Sequence, residues 1–97
     1  MRWFKIGVGI FIIKFKDYDK LEATIIEDIP LLKANGAKSA SILRDLDDPN
    51  RVIVTADWEN IENAKKFAES DELRARMQEG GVTGKPEIYF VEEKVVF

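Results

Sequence analysis

Asp28, Trp58, Tyr18, Tyr89 and Phe67 are the side chains of this 97-residue sequence that set a reactive or ring-bearing group against an apolar neighbourhood. Asp28 stands about 20° outside one edge of an apolar helical stripe, so it can face a pocket, where burial would raise its pKa toward that of a useful general base. The competing reading leaves it at the stripe's wet margin, or capping a helix restart at Pro30. Trp58 can wall an aromatic ligand and offer its indole N–H as a donor, or serve simply as core. Tyr18 and Tyr89 can donate to a bound carbonyl oxygen, or pack with the hydroxyl at the surface. Phe67 would supply a further aromatic wall.

Other patterns have a structural reading that serves them better. Arg44 and Asp57 fall on adjacent strands of one hairpin, where a cross-strand ion pair is simpler than an anion site. Gly80-Gly81-Val82-Thr83-Gly84-Lys85 resembles a phosphate loop only superficially. It follows a helix rather than preceding one, and it lacks the Lys-Ser/Thr ending. Asp45, Asp47 and Asp48 alternate in direction along a turn and cannot readily supply six oxygens to a hard cation, so no metal site is expected. The chain has neither histidine nor cysteine, which removes the commonest general base, the commonest metal ligand, any thiolate nucleophile and any disulfide.

Charge and hydropathy narrow the classes further. A net charge of -3 with both signs interspersed gives no reason to expect nucleic acid or an anionic membrane as partner. The apolar run from Ile6 to Ile13 is interrupted by Gly7 and Gly9, leads into Lys14 without a small-residue cleavage site, and falls far short of the roughly 18 residues of a membrane span. A soluble cytoplasmic protein is expected. A chain of this length forms one domain, residues 1–97, that buries only about 60 to 70% of its unfolded surface, so a partner subunit would help it.

The elements that must hold these groups follow from periodicity. Phe4 to Phe15 is apolar or Gly on nearly every position, the pattern of a central strand covered on both faces. Asp17 or Asp19 caps a first helix whose stripe is Tyr18, Leu21, Ile25, Ile29 and Leu32. Pro30 kinks or restarts it near Asp28, and Asn35-Gly36 stops it. Strands from about Lys38 to Leu46 and from Arg51 to Glu59 form a hairpin around Asp47-Asp48-Pro49-Asn50. Asn60 caps a helix carrying Ile61, Ala64, Phe67 and Ala68, and Ser70 caps another with Leu73 and Met77. Gly80 to Pro86 ends the helical region, and a last strand runs from Glu87 to about Glu92. The tail, Lys94-Val95-Val96-Phe97, looks able to add to an edge. Strand, helix, strand, strand, helix, strand under the right-handed crossover rule gives an α+β, ferredoxin-like βαββαβ sandwich with a four-stranded antiparallel sheet. Its helices cover one face, and the apolar remainder of the other predicts a homodimer through sheet faces.

Several segments together carry a more specific likeness. They are Asp17-Tyr18-Asp19-Lys20, Gly36-Ala37, Arg44 with Asp47-Asp48-Pro49-Asn50 and Val52, Ala56-Asp57-Trp58-Glu59, Ala64, Phe67-Ala68, Ser70 with Leu73 and Met77, Gly81-Val82, and Pro86-Glu87 leading to Tyr89-Phe90. Over about Phe15 to Glu93 the chain resembles the antibiotic biosynthesis monooxygenase-like family of the dimeric α+β barrel superfamily. The resemblance implies a homodimer whose two sheets face each other as a barrel, with a pocket in each subunit between sheet and helices. Some members oxidise aromatic polyketides without a cofactor. Others degrade haem on an axial histidine, a residue absent here. Trp58 and Arg44 match the broad family pattern, while the Asn, Trp and Arg or Tyr group of the cofactor-free oxygenases is not matched residue by residue. The expectation is a pocket for a flat apolar or aromatic molecule, with cofactor-independent oxygenation as one outcome and a non-enzymatic structural or accessory dimerisation module as the alternative. In the oxygenase case no cofactor is expected, because a substrate-derived carbanion replaces it.

Overall fold

The computed structural model describes residues 7–97. Four strands, β1 (Gly7–Phe15), β2 (Ala37–Arg44), β3 (Arg51–Trp58) and β4 (Val82–Val91), form one antiparallel sheet in the order β2-β3-β1-β4. The helices α1 (Tyr18–Glu27) and α2 (Ile29–Ala34) follow β1, and α3 (Ile61–Ala68) and α4 (Asp71–Glu79) follow β3. This is the ferredoxin-like arrangement, with β1 inside the sheet as its composition required. The part of the first strand expected from Phe4 to Ile6 lies outside the described residues.

Alternation along the strands sorts the side chains to two faces. Phe11, Ile13 and Phe15 of β1 and Val52, Val54, Ala56 and Trp58 of β3 are buried under the helices. Leu21 of α1 and Ala64 and Phe67 of α3 close over them. The opposite face carries Val8, Ile10 and Ile12, and no helix among the described residues covers it. Register aligns Leu43, Ile53 and Ile12 in one cross-strand row, and Thr55, Ile10 and Tyr89 in another. Leu43 and Tyr89 remain 52% and 51% exposed. The double-sided apolar pattern of β1 thus meets a cover on one side only.

The expected caps form. The Asp17 carboxylate accepts from Lys20 N, Asn60 Oδ1 accepts from Glu62 N and Ser70 Oγ accepts from Leu73 N, each satisfying a first-turn amide. Pro30 lies in the first turn of α2, where its missing N–H costs nothing, so the kink is realised as a new helix. Gly36, at φ 102°, leads the chain from α2 into β2.

Three boundaries or pairings differ from the sequence reading. β4 begins at Val82, inside the segment read as a helix-ending loop, because Gly84 at φ 71° and Pro86 form an irregularity that lets Thr83 pair with Lys14 and Glu87 with Ile12. The tail beyond Val91 belongs to no strand. Arg44 lies opposite Val52 and Asp57 opposite Ser39, which places the two at different ends of the hairpin and rules out their expected cross-strand pair. The Arg44 guanidinium instead donates to Pro49 O at 3.1 and 2.9 Å and lies 4.3 Å over the Tyr18 ring.

Phe15 is 3% exposed and packs in the core beneath α1. Phe15→Ala is expected to lower the unfolding free energy by about 3–5 kcal/mol. Ser70→Ala should lower it by about 1 kcal/mol. Urea titration checks both, and near-equal losses for the two would contradict this core assignment.

Candidate functional site

Between sheet and helices lies a cavity of about 60 Å³. Phe11, Ile13, Val54 and Ala56 form its floor, Leu21 and Ile25 of α1 and Phe67 of α3 its sides, and Leu73 and Met77 of α4 its roof. The surface is almost wholly apolar. Its polar groups are Thr24, Asp28 and Arg76. The Thr24 hydroxyl donates to Lys20 O at 2.9 Å, which leaves its oxygen able to accept.

Asp28 sits at the junction of α1 and α2, and its side chain makes no cap bond to α2. It is turned toward α4, where its carboxylate accepts from Arg76 Nε at 2.5 Å. Burial pushes the Asp28 carboxyl upward, while the hydrogen bond and charge of Arg76 pull against that shift. Arg76 also donates to Glu79 at 2.6 Å and to Glu27 at 3.1 Å. The hydrogen bonds it donates to Asp28 and then to Glu27 hold its guanidinium firmly protonated. One arginine therefore ties α4 to the α1–α2 junction across the rim of the cavity. With the Asp28 side chain only 15% exposed, the pair is too sheltered to be an ordinary surface bridge.

The sequence candidates are divided by this geometry. Asp28 and Phe67 border the cavity. Trp58 does not; it stands behind Phe67, ring centroids 5.8 Å apart, among Ala37, Ala56, Ala64 and Phe90. Its indole Nε1 is buried and has no hydrogen-bond partner among the described residues. Gly9 makes room for it, since a Cβ there would come within 3.1 Å of Nε1. Tyr18 packs on Phe15 beneath Arg44, and the neighbouring Glu22 holds its phenol proton on. Tyr89 occupies the uncovered sheet face, away from the cavity.

Arg76 was not legible as a site residue from composition, yet a signal existed. At 100° per residue it flanks the Leu73 and Met77 stripe of its helix, as Asp28 flanks the stripe of α1. Two opposite charges on facing stripe margins are positioned to meet. In the turn, by contrast, the carboxylates serve their own backbone: Asp45 accepts from Asp47 N and Asp48 N, which lowers its pKa, and Asp48 accepts from Asn50 N. Among the described residues no acidic cluster is placed to hold a metal. No helix among them is long and apolar enough to cross a membrane.

Removing the arginine while keeping the carboxylate leaves a sheltered charge uncompensated. Arg76→Leu is therefore expected to lower the thermal midpoint further than the double variant Asp28→Asn/Arg76→Leu does. Equal midpoints would show that the pair is not coupled.

No family model matches the chain, and no curated protein matches it in sequence. Solved structures do match. An antibiotic biosynthesis monooxygenase-like protein of Bordetella bronchiseptica superposes with a TM-score of 0.77 at 21% identity, over 95% of this chain and 99% of that one. SnoaB, a cofactor-independent oxygenase of Streptomyces nogalater, superposes at 0.66 with 10% identity, over 88% and 91% of the two chains. The monooxygenase ActVA-Orf6 of Streptomyces coelicolor, solved in complex with nanaomycin D, superposes at 0.64 with 16% identity, over 95% and 90%. The chain has the ferredoxin-like α+β fold of the antibiotic biosynthesis monooxygenase-like proteins.

Proposed function

We propose that this chain is a one-domain cytoplasmic member of that family, a homodimer through its uncovered sheet faces, and a cofactor-independent monooxygenase of a flat, mostly apolar aromatic molecule. The observation that carries the reading is the single carboxylate, Asp28, set beside Arg76 and Thr24 at the rim of a mostly apolar cavity, with its acidity weakened by burial. A base in such a place can take a proton from a carbon activated by an adjoining phenol or quinol ring system. Dioxygen then bonds to that carbon, and loss of water leaves a carbonyl, so that R2CH2 and O2 become R2C=O and H2O with the substrate as sole reductant. Arg76 would hold the oxyanion that develops on the ring. The unpartnered indole N–H of Trp58 is a donor available to a ligand that displaces Phe67.

A cavity of about 60 Å³ is smaller than the about 150 Å³ that accommodates benzene in an apolar protein core. Ring entry therefore requires the helical cover to open, and α2 and α4, neither of which has a buried residue, are the parts of that cover least committed to the core. The same small volume favours the second reading, a non-enzymatic dimerisation module whose interior is filled by its own side chains.

Oxygen uptake with hydroxylated aromatic candidates in chelator-treated buffer separates the two. Asp28→Asn is expected to reduce turnover at least about 100-fold, and Trp58→Phe to reduce it as well. Because the base works only when ionised, kcat/KM should fall as pH drops through the Asp28 pKa, on a limb lying above the ordinary 3.8. Turnover indifferent to both substitutions would remove these residues from the mechanism. Neither binding nor turnover of any candidate would favour the accessory module.

The dimer is tested separately. Sedimentation at micromolar concentration should give a dimer, and Ile53→Lys, at the centre of the uncovered face, should give a monomer. A monomeric parent protein would contradict the assignment.

A further inference from the structure

We infer that the cavity of the candidate site, in its closed form, is a binding site for dioxygen, held on the sheet floor below the place that the aromatic molecule takes when the helical cover opens. The catalytic use of such a site rests on the oxygenase reading above, whereas its occupancy rests on volume and chemistry alone. Volume decides first. The closed cavity of about 60 Å³ is less than half of the about 150 Å³ that accommodates benzene. Dioxygen has two heavy atoms, which fit within roughly twice the ~30 Å³ share of one liquid water. A diatomic enters where a ring does not.

Chemistry then separates dioxygen from water, the other molecule small enough to enter. A buried water needs about two to four polar partners. Against the floor of Phe11, Ile13, Val54 and Ala56 it would meet hydrocarbon, and the polar groups of the lining are already engaged. The Thr24 hydroxyl donates to Lys20 O, and Asp28 and Arg76 are bonded to each other at the rim. A water there would exchange its hydrogen bonds for the one free acceptor on Thr24, which is costly. Dioxygen makes no strong hydrogen bond in water, so it loses little on leaving and gains dispersion contact with the apolar walls. The place also suits the reaction. With Asp28 at the rim and the sheet below, a carbon deprotonated at the rim presents its opposite face to a gas held on the floor.

Dioxygen is a paramagnet, so the relaxation it adds to methyl protons reads the site without turnover. In protein carrying labelled Ile, Leu and Val methyls under oxygen pressure, the added relaxation at Ile13, Leu21 and Val54 should exceed that at Val52 at least about threefold. Val52 is the control because it is 0% exposed and does not border the cavity. Val54→Ile, which puts one more carbon into the cavity, should cut the effect at Ile13 and Leu21 at least about twofold and leave Val52 unchanged. If that variant does not fold, xenon-induced methyl shifts in the parent protein make the same comparison between cavity and control. An effect no larger at the cavity methyls than at Val52 would overturn the dioxygen site and leave the Asp28 reading to its own turnover test. A cavity-specific effect in a protein whose turnover ignores Asp28→Asn would remove the base and keep the site.

Discussion

The rest of the structure depends on one mismatch: a sheet with apolar side chains on both faces, and helices sufficient to cover one. Burying Phe11, Ile13, Phe15, Val52, Val54 and Trp58 beneath α1, α3 and α4 builds the core. The same strands, by alternation, must then present Val8, Ile10, Ile12 and Ile53 on the far side, where Leu43 of β2 joins them. A strand rich in apolar residues on both parities demands two covers. The uncovered face is thus as much a product of the sequence as the covered one.

The helical cover is also uneven. α3 commits Ala64 and Phe67 to the core, whereas α4 contributes half-buried Leu73 and Met77 and is tied across the cavity rim by Arg76. The ion pair also has two sides chemically. It steadies Arg76 as a cation and keeps Asp28 from ionising alone in an apolar setting, while burial still weakens that acid.

Much of the fold was legible because it rests on local chemistry. Asp17, Asn60 and Ser70 announce helix starts by their side-chain oxygens, Pro30 a restart and Gly36 a departure, and each is used that way. The errors fall where local rules have two solutions. Gly80 to Pro86 reads as a loop, yet a glycine at positive φ serves equally to carry a strand through an irregular pairing. Register separates Arg44 from Asp57: in an antiparallel hairpin, partners' numbers sum to a nearly constant value, and that value pairs Arg44 with Val52. The candidate site was legible in part. Asp28 is visible as a charge beside an apolar stripe, but its partner lies 48 residues away, and only the packing of α4 against α1 reveals Arg76. Trp58 and Tyr89 show the limit of residue type as a guide, since strand parity alone sends one into the core and the other to the uncovered face.

The most direct test of the central claim, that a second copy covers this face, is isotope-filtered NMR on a mixture of carbon-13-labelled and unlabelled protein. The account predicts intermolecular methyl contacts from Ile10, Ile12, Leu43 and Ile53, residues with no helix above them. Sharp monomer-width lines with no intermolecular contact at these methyls would contradict it.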